Sequence, residues 1–428
     1  MKKLEPDYGQ KRASLDNATE PLRRYPYPYK SLLAIASDLD GTPDWTSHRG
    51  LIEFLNTDYA TPFGCGVSLE FANSLYFLPA PGDFGYYSSP PNVRSQINQF
   101  IESRHIDTLH SYGDSAFERS HVERVLSDLH NLKARIPVWI DHARALTNFG
   151  HYGTRGFGDV PQHAAYHADI SVDYGIDHVW RGQVTVSVCD ATGFRPSIIA
   201  RQYRRGSGLA IPLGKELAKI ALGSIGYGRY RLHRCGRVCE RVALRDGQLV
   251  NEFIRYNSYS RGINQGDSAD KISQVLSGRV IETLISNSAA IIVYTHLGQR
   301  FPMGGSDLAE LRRTFENIKR RELSGDLRVL TTSRLLDYLA LRESVRVHRS
   351  VANSCECIAA VTEPDDRVAR RALRRGGGEG LSFYVSTRGP YRLTINGSEV
   401  RNFRENPADE TGRRSLSLNL PRLEFPDV

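Results

Sequence analysis

From residue 29 to residue 332 the chain alternates two textures. Short apolar runs stop on polar residues, and between them lie stretches whose apolar positions recur three and four apart. The runs LLAIASD (32–38), DTLHSY (107–112), PVWIDH (137–142), HVWR (178–181), IIVYTH (291–296) and LRVLTT (327–332) predict buried strands. Residues 92–104, 117–132, 269–287 and 307–322 carry the helical spacing. Strands alternating with helices imply a parallel sheet with crossover connections, so the fold class is α/β.

Polar residues fall at or just past the ends of different strands: Asp38 and Asp40, His110 and Asp114, Asp141 and His142, Trp180 and Arg181, and His296. In a parallel barrel such ends converge on one face, whereas an open sheet gathers only those beside its switch point. The expected architecture is therefore a (β/α) barrel, seven-stranded and irregular, over residues 29–348. Residues 183–261 fit that plan poorly, with YGRYRLHR (227–234) and ERVAL (240–244) reading as paired strands of an insertion. After residue 349 short alternating runs split by turn residues predict a small β-rich C-terminal unit, reached through a basic linker at RVARRALRR (367–375). Residues 1–28 are polar at first and proline-rich at their end, and are expected to form a loose N-terminal arm.

Hydrophobic residues make up 40% and charged ones 24%, which excludes fibrous and wholly disordered classes. Fifty-six Lys and Arg stand against 48 Asp and Glu, an excess that reads as spread along the chain. The run at 367–375 has no interleaved aromatics, so no nucleic-acid partner is expected. No apolar run reaches transmembrane length and the first residues lack an apolar signal core, leaving the cytoplasm as the default compartment. Six cysteines without a framework spacing are expected to be free thiols; a four-sulfur zinc site from CGRVC (235–239) and CEC (355–357) would need two distant pairs to meet.

The chemistry starts from SDLDGT, residues 37–42. DLDGT after an apolar strand resembles the first motif of haloacid-dehalogenase-type phosphatases, in which Asp38 would be the nucleophile and Asp40 the general acid around magnesium. That chemistry also needs a lysine at a later strand end, and none is found in the sequence. HSYGD, residues 110–114, offers a different use: a His and an Asp four apart at a strand-to-helix junction can face one ion, and a carboxylate from the preceding motif completes the set.

HSYGD fits the His-[Ser/Thr]-x-x-[His/Asp] motif of the NodB-like polysaccharide deacetylases of the glycoside hydrolase/deacetylase superfamily, and SDLDGT resembles that family's first motif. The resemblance spans about residues 29–346 and is tight at these two motifs, with THLG (295–298) in the place of the family's late histidine. It departs at Leu39, which separates two acids that are adjacent in the family, and at the family's arginine-containing motif, where WIDHARALTNFG (139–150) stands instead. The resemblance implies a divalent metal, zinc expected, on Asp40, His110 and Asp114, with Asp38 as base and His296 or His142 as proton donor. Asp141, Arg144, Asn148, Trp180 and Arg181 would then contact a glycan or amino-sugar substrate that loses an acetyl group. Two other readings stay open: a glycan-binding or assembly protein on the same barrel without turnover, and the magnesium phosphatase. A glycosidase would instead pair Asp38 with Asp141 or Asp159. His163 and His167, four apart, are expected on a solvated or core face, and the glycine-rich pieces 153–158 and 223–228 as loops.

Overall fold

The Ser31–Ser37 strand sits at the middle of a large curled, mostly parallel sheet. In the computed structural model, which describes residues 20–143, 145–150, 154–188, 196–202, 210–258, 267–299, 301, 305–352, 354–386 and 388–427, one flank of this strand pairs with Ala290–Thr295. The other flank is shared. Its first half pairs with Leu327–Leu330 and its end with Ala72–Leu75. From there Ile106–His110, Val138–Ile140 and His178–Trp180 follow in parallel. The run from Leu249 to Tyr256 reaches both ends of the curl: Leu249–Phe253 pairs with His178–Trp180, and Arg255–Tyr256 pairs with Ala290–Thr295. The α/β class and a separate β-rich C-terminal region are as expected, and the parallel sheet forms a curled half-barrel.

Alternation along each strand divides the core. Leu32, Ala34 and Ala36 turn to the concave side with Ile140, Ile292 and Leu330. Leu33 and Ile35 turn out against helices through Phe54, Leu55, Ile281, Leu284, Phe315 and Ile318. The helices bury the stripes that their spacing predicts: Arg119–His130 presents Val122, Val125, Leu126 and Leu129. The helical stretch expected over 269–287 is broken into Ala269–Lys271, Ile272–Val275 and Gly278–Ser286.

Three expectations are corrected. Residues 367–375 are no linker: Arg367–Gly376 is a helix, capped by Asp366, whose side chain accepts from Ala369 N at 2.9 Å. It buries Val368, Ala369 and Ala372, and Arg375 reaches Asp177 at 2.8 Å and Asp337 at 2.6 Å, so its charge is spent on partners distant in sequence. YGRYRLHR is helical, as Gly228–Tyr230 and Arg231–Cys235, because Leu232 and His233 turn together into the core; ERVAL lies on a strand as read. Residues 20–28 are not loose. Leu22 pairs with Phe383, and buried Arg23 binds Asp409 at 2.6 Å, while residues 1–19 lie outside the described set. The C-terminal region comprises a four-stranded and a three-stranded sheet. Cys65, Cys355 and Cys357 are free, while Cys189 and the side chain of Cys235 lie outside the described set. Among the described residues no helix is long and apolar enough to cross a membrane.

Buried histidines set an acid limit on this core. Burial pushes His48, His105 and His167 each down to about 4. His167 is held on both nitrogens, by Ser171 Oγ and Thr147 O at 2.8 Å each. Between the ordinary histidine value and about 4 the unfolded chain binds more protons than the folded one, so stability is present above that window and is lost as pH falls through it. Each such histidine contributes up to about 3 kcal/mol. The urea midpoint is expected to fall steeply from pH 6.5 to pH 4, and more gently in His167→Gln; an unchanged slope in the variant would remove His167 from the account.

Candidate metal centre

Six parallel strands of the curl hand their last inward positions to one mouth. The alternation that puts Ala34 and Ala36 on the concave side also puts Asp38 there, and gives Ser74 and Tyr76, His110, His142, Trp180, and Tyr294 and His296 on the following strands. Of the residues named from sequence, the fold brings Asp38, Asp40, His110, His142 and His296 together.

Three imidazoles share one arrangement. Each Nδ1 has a carboxylate behind it: His110 has Asp38 Oδ2 at 2.5 Å and His142 has Asp114 Oδ1 at 2.8 Å, whereas His296 lies 3.4 Å from Asp267 Oδ2 without a hydrogen bond between them. Each Nε2 faces the same oxygen, Asp40 Oδ2, at 3.9, 3.6 and 3.3 Å respectively. A carboxylate hydrogen-bonded behind a neutral histidine fixes its tautomer and leaves the far nitrogen as a lone pair, as in metal sites, and that is the arrangement of His110 and His142. Asp40, His110 and His142 have ligand atoms within 4.8 Å of one another, and so do Asp38, Asp40 and His296. His110 Nε2 is buried and has no hydrogen-bond partner.

The carboxylates differ in freedom. Asp38 is 1% exposed and both its oxygens are occupied. Oδ1 accepts from Leu39 N at 2.9 Å and from Ser74 Oγ, and Oδ2 accepts from the Tyr294 hydroxyl, which lies 2.6 Å from His110 Nδ1. Burial pushes its carboxyl up, but His110, His296 and Ser74 outweigh this and hold it below the usual range. Asp40 is partly exposed, receives the Tyr76 hydroxyl on Oδ1 and keeps Oδ2 toward the histidines. Burial and these carboxylates push Tyr76 and Tyr294 up, so both remain donors. Burial lowers His110. It also opposes the charge on His296, yet Asp267, Asp40 and Asp38 raise that ring to about 10.

Other residues named from sequence lie around this cluster. Asp114 stands behind His142, outside both sets of converging ligand atoms. Asp141 faces into the loop that follows it, accepting from Trp139 Nε1, Phe149 N and Thr154 Oγ1 at 2.8 Å each, and burial pushes it up to about 7. Asn148 brackets His142, accepting from its N at 3.0 Å and donating to its O at 2.9 Å. These two expected substrate contacts therefore anchor the loop that carries His142. Trp180 donates to Gln183 O at 2.7 Å with its ring against the Arg255 guanidinium at 3.7 Å, and Arg181 pairs with Glu252 at 2.7 Å. Arg144 lies outside the described residues. Asp159 is buried in an ion pair with Arg245, which leaves it no place across a glycosidic bond. His163 stacks on Phe157, and His167 is a core residue.

Sequence reasoning passed over Ser74 and Tyr76, although FANSLYF (71–77) alternates and could have signalled their strand. Tyr294 lay within a strand already read, but its hydroxyl had no visible task. Nothing around Asp267 marks it. No family model matches the chain, and no curated protein or solved structure matches it.

Proposed function

We propose that the chain is a metal-dependent hydrolase resembling polysaccharide deacetylases, with Asp40, His110 and His142 as ligands and an acetylated glycan or amino sugar as substrate. The observation that carries this reading is His110 Nε2, buried without a partner and aimed at Asp40 and His142. One carboxylate and two imidazoles suit zinc. A bound ion would supply Lewis acidity toward an acyl carbonyl.

The chain's own residues divide the remaining work. Asp38 and Tyr294 orient His110, while Asp114 and Asn148 orient His142, so His142 moves from the expected proton donor to ligand and Asp114 from ligand to its support. His296 lies between Asp38 at 3.6 Å and Asp40 at 3.3 Å and holds a proton at neutral pH, which suits it to protonate a departing amine. Asp38, with both oxygens occupied, suits an orienting role better than that of base or nucleophile, and this weighs against the phosphatase reading. The bridging run from Leu249 to Tyr256 supports reading the curl as an irregular seven-stranded barrel, with Leu327–Leu330 splayed from it.

Acetate release from N-acetylated chito-oligosaccharides by zinc-loaded protein tests the reading. Release lost in His110→Ala and strongly reduced in His296→Gln is expected. Stoichiometric zinc without release would favour the glycan-binding alternative, and neither would overturn the proposal.

A further inference from the structure

Away from this centre, the helix Ala210–Ser224 stands on a narrow footing. Only Pro212, Glu216 and Gly223 are buried. Lys219 Nζ donates to Val184 O at 2.6 Å, and Glu216 accepts from Thr185 Oγ1 at 2.8 Å, so the polar groups of the inner face are used in attachment. The outer face is apolar. Ile211, Gly214, Ala218, Ala221 and Ile225 follow at intervals of three and four residues, which places them on one stripe, with Leu217 beside it. All are exposed, Ile211 by 64% and Ile225 by 77%, and the tip beyond the helix adds Tyr227 at 54%. A Cβ added at Gly214 or Gly226 would meet nothing within 4 Å, so the face is open.

The same stretch of sequence is rich in cations, and of these Lys215 stands exposed on the helix itself. From Arg195 to Arg237 the sequence holds ten Lys and Arg and one acid, against a net charge of +8 for the whole chain. The basic excess is thus concentrated here and not spread along the chain, and the one acid, Glu216, is buried. The apolar face therefore belongs to a segment rich in cations whose one acid is buried.

We propose that this helix and the Ile225–Tyr227 tip dock on an anionic lipid surface. Aliphatic side chains can sink below the headgroups while Lys215 and the other cations of the segment meet lipid phosphates, and a tyrosine at the tip suits the boundary between them. A nucleic acid would use the cations but offers nothing to Ile211, Leu217 and Ile225, since its recognition runs through charge and ring stacking. A second copy of the chain would bring the same charge to the same face, and like charge opposes that pairing. The proposal stands independently of the metal centre.

The full chain is sedimented at physiological salt with vesicles of phosphatidylglycerol and phosphatidylcholine, and with phosphatidylcholine alone. Binding to the anionic vesicles is expected, at least roughly 10-fold above the neutral ones and weakening as salt is added. Leu217→Glu and Ile225→Glu are each expected to lower it by at least roughly 10-fold with an unchanged Tm, since both side chains are exposed. Four results would each overturn the proposal: no binding to either vesicle; wild-type binding by Ile225→Glu; single-stranded DNA displacing the vesicles and binding Ile225→Glu unchanged; or a concentration-dependent dimer that Leu217→Glu dissolves.

Discussion

Zinc binding is expected to be lost from Asp40→Asn and from His110→Ala in protein that still folds. Asp40 supplies the oxygen that all three Nε2 atoms face, and the partly exposed side chain can be changed without opening the core. His110 supplies the buried nitrogen that has no other partner. Removing either takes away one of three ligands, so affinity should fall by more than the roughly 10–100-fold typical of losing an outer partner. Asp114→Asn gives that smaller step, because it touches His142 only through Nδ1 at 2.8 Å. Calorimetric titration of zinc into the stripped protein, with circular dichroism as the check on folding, ranks the four proteins. Wild-type affinity in His110→Ala would dissolve the centre as described; equal losses in Asp114→Asn and His110→Ala would make Asp114 a ligand after all.

The second large effect is on stability, at the opposite end of the strands. Glu70 is 3% exposed and accepts both its bonds to Arg334 Nη1 at 2.7 Å, with Arg328 Nη2 at 3.4 Å. Arg334 also binds Glu379 at 2.6 Å and donates to Pro421 O at 2.8 Å, so one network joins the curled sheet, the C-terminal region and the returning tail. Burial pushes Glu70 up, yet Arg334 and Arg328 outweigh it and keep the group charged. Glu70→Ala leaves Arg334 with Glu379 and Arg328 with Glu322 at 3.0 Å as their remaining carboxylates, so the loss is expected at the lower end of about 3–5 kcal/mol. A matching fall in urea stability is expected, with part of it recovered when Arg334→Met is added, since an apolar replacement of both partners avoids the stranded charge. A double variant no more stable than Glu70→Ala would mean that the cost lies in packing and not in charge.

Periodicity made much of this legible. Strand period placed Asp38, His110, His142 and His296 at strand ends on one side, because alternate residues share a face whatever the neighbours are. Helical spacing likewise marked Val122, Val125, Leu126 and Leu129 for burial. The four-residue strand Ala72–Leu75 was too short to stand out, and Ser74 and Tyr76 went with it. Composition misled where partners are remote: nothing within 367–376 announces that Asp177 and Asp337 will take up Arg375.

The sequence by itself determined the α/β class, the strand ends that carry acids and histidines, and the β-rich close of the chain. Tertiary structure alone decided the division of labour among those residues. Asp114 and His142 are 28 positions apart and Asp38 and Tyr294 are 256 apart, so which group binds and which one supports depends on which strands lie side by side. The direction in which a side chain faces is local, fixed by backbone period, whereas the partner it meets is fixed by sheet order, which no local pattern encodes.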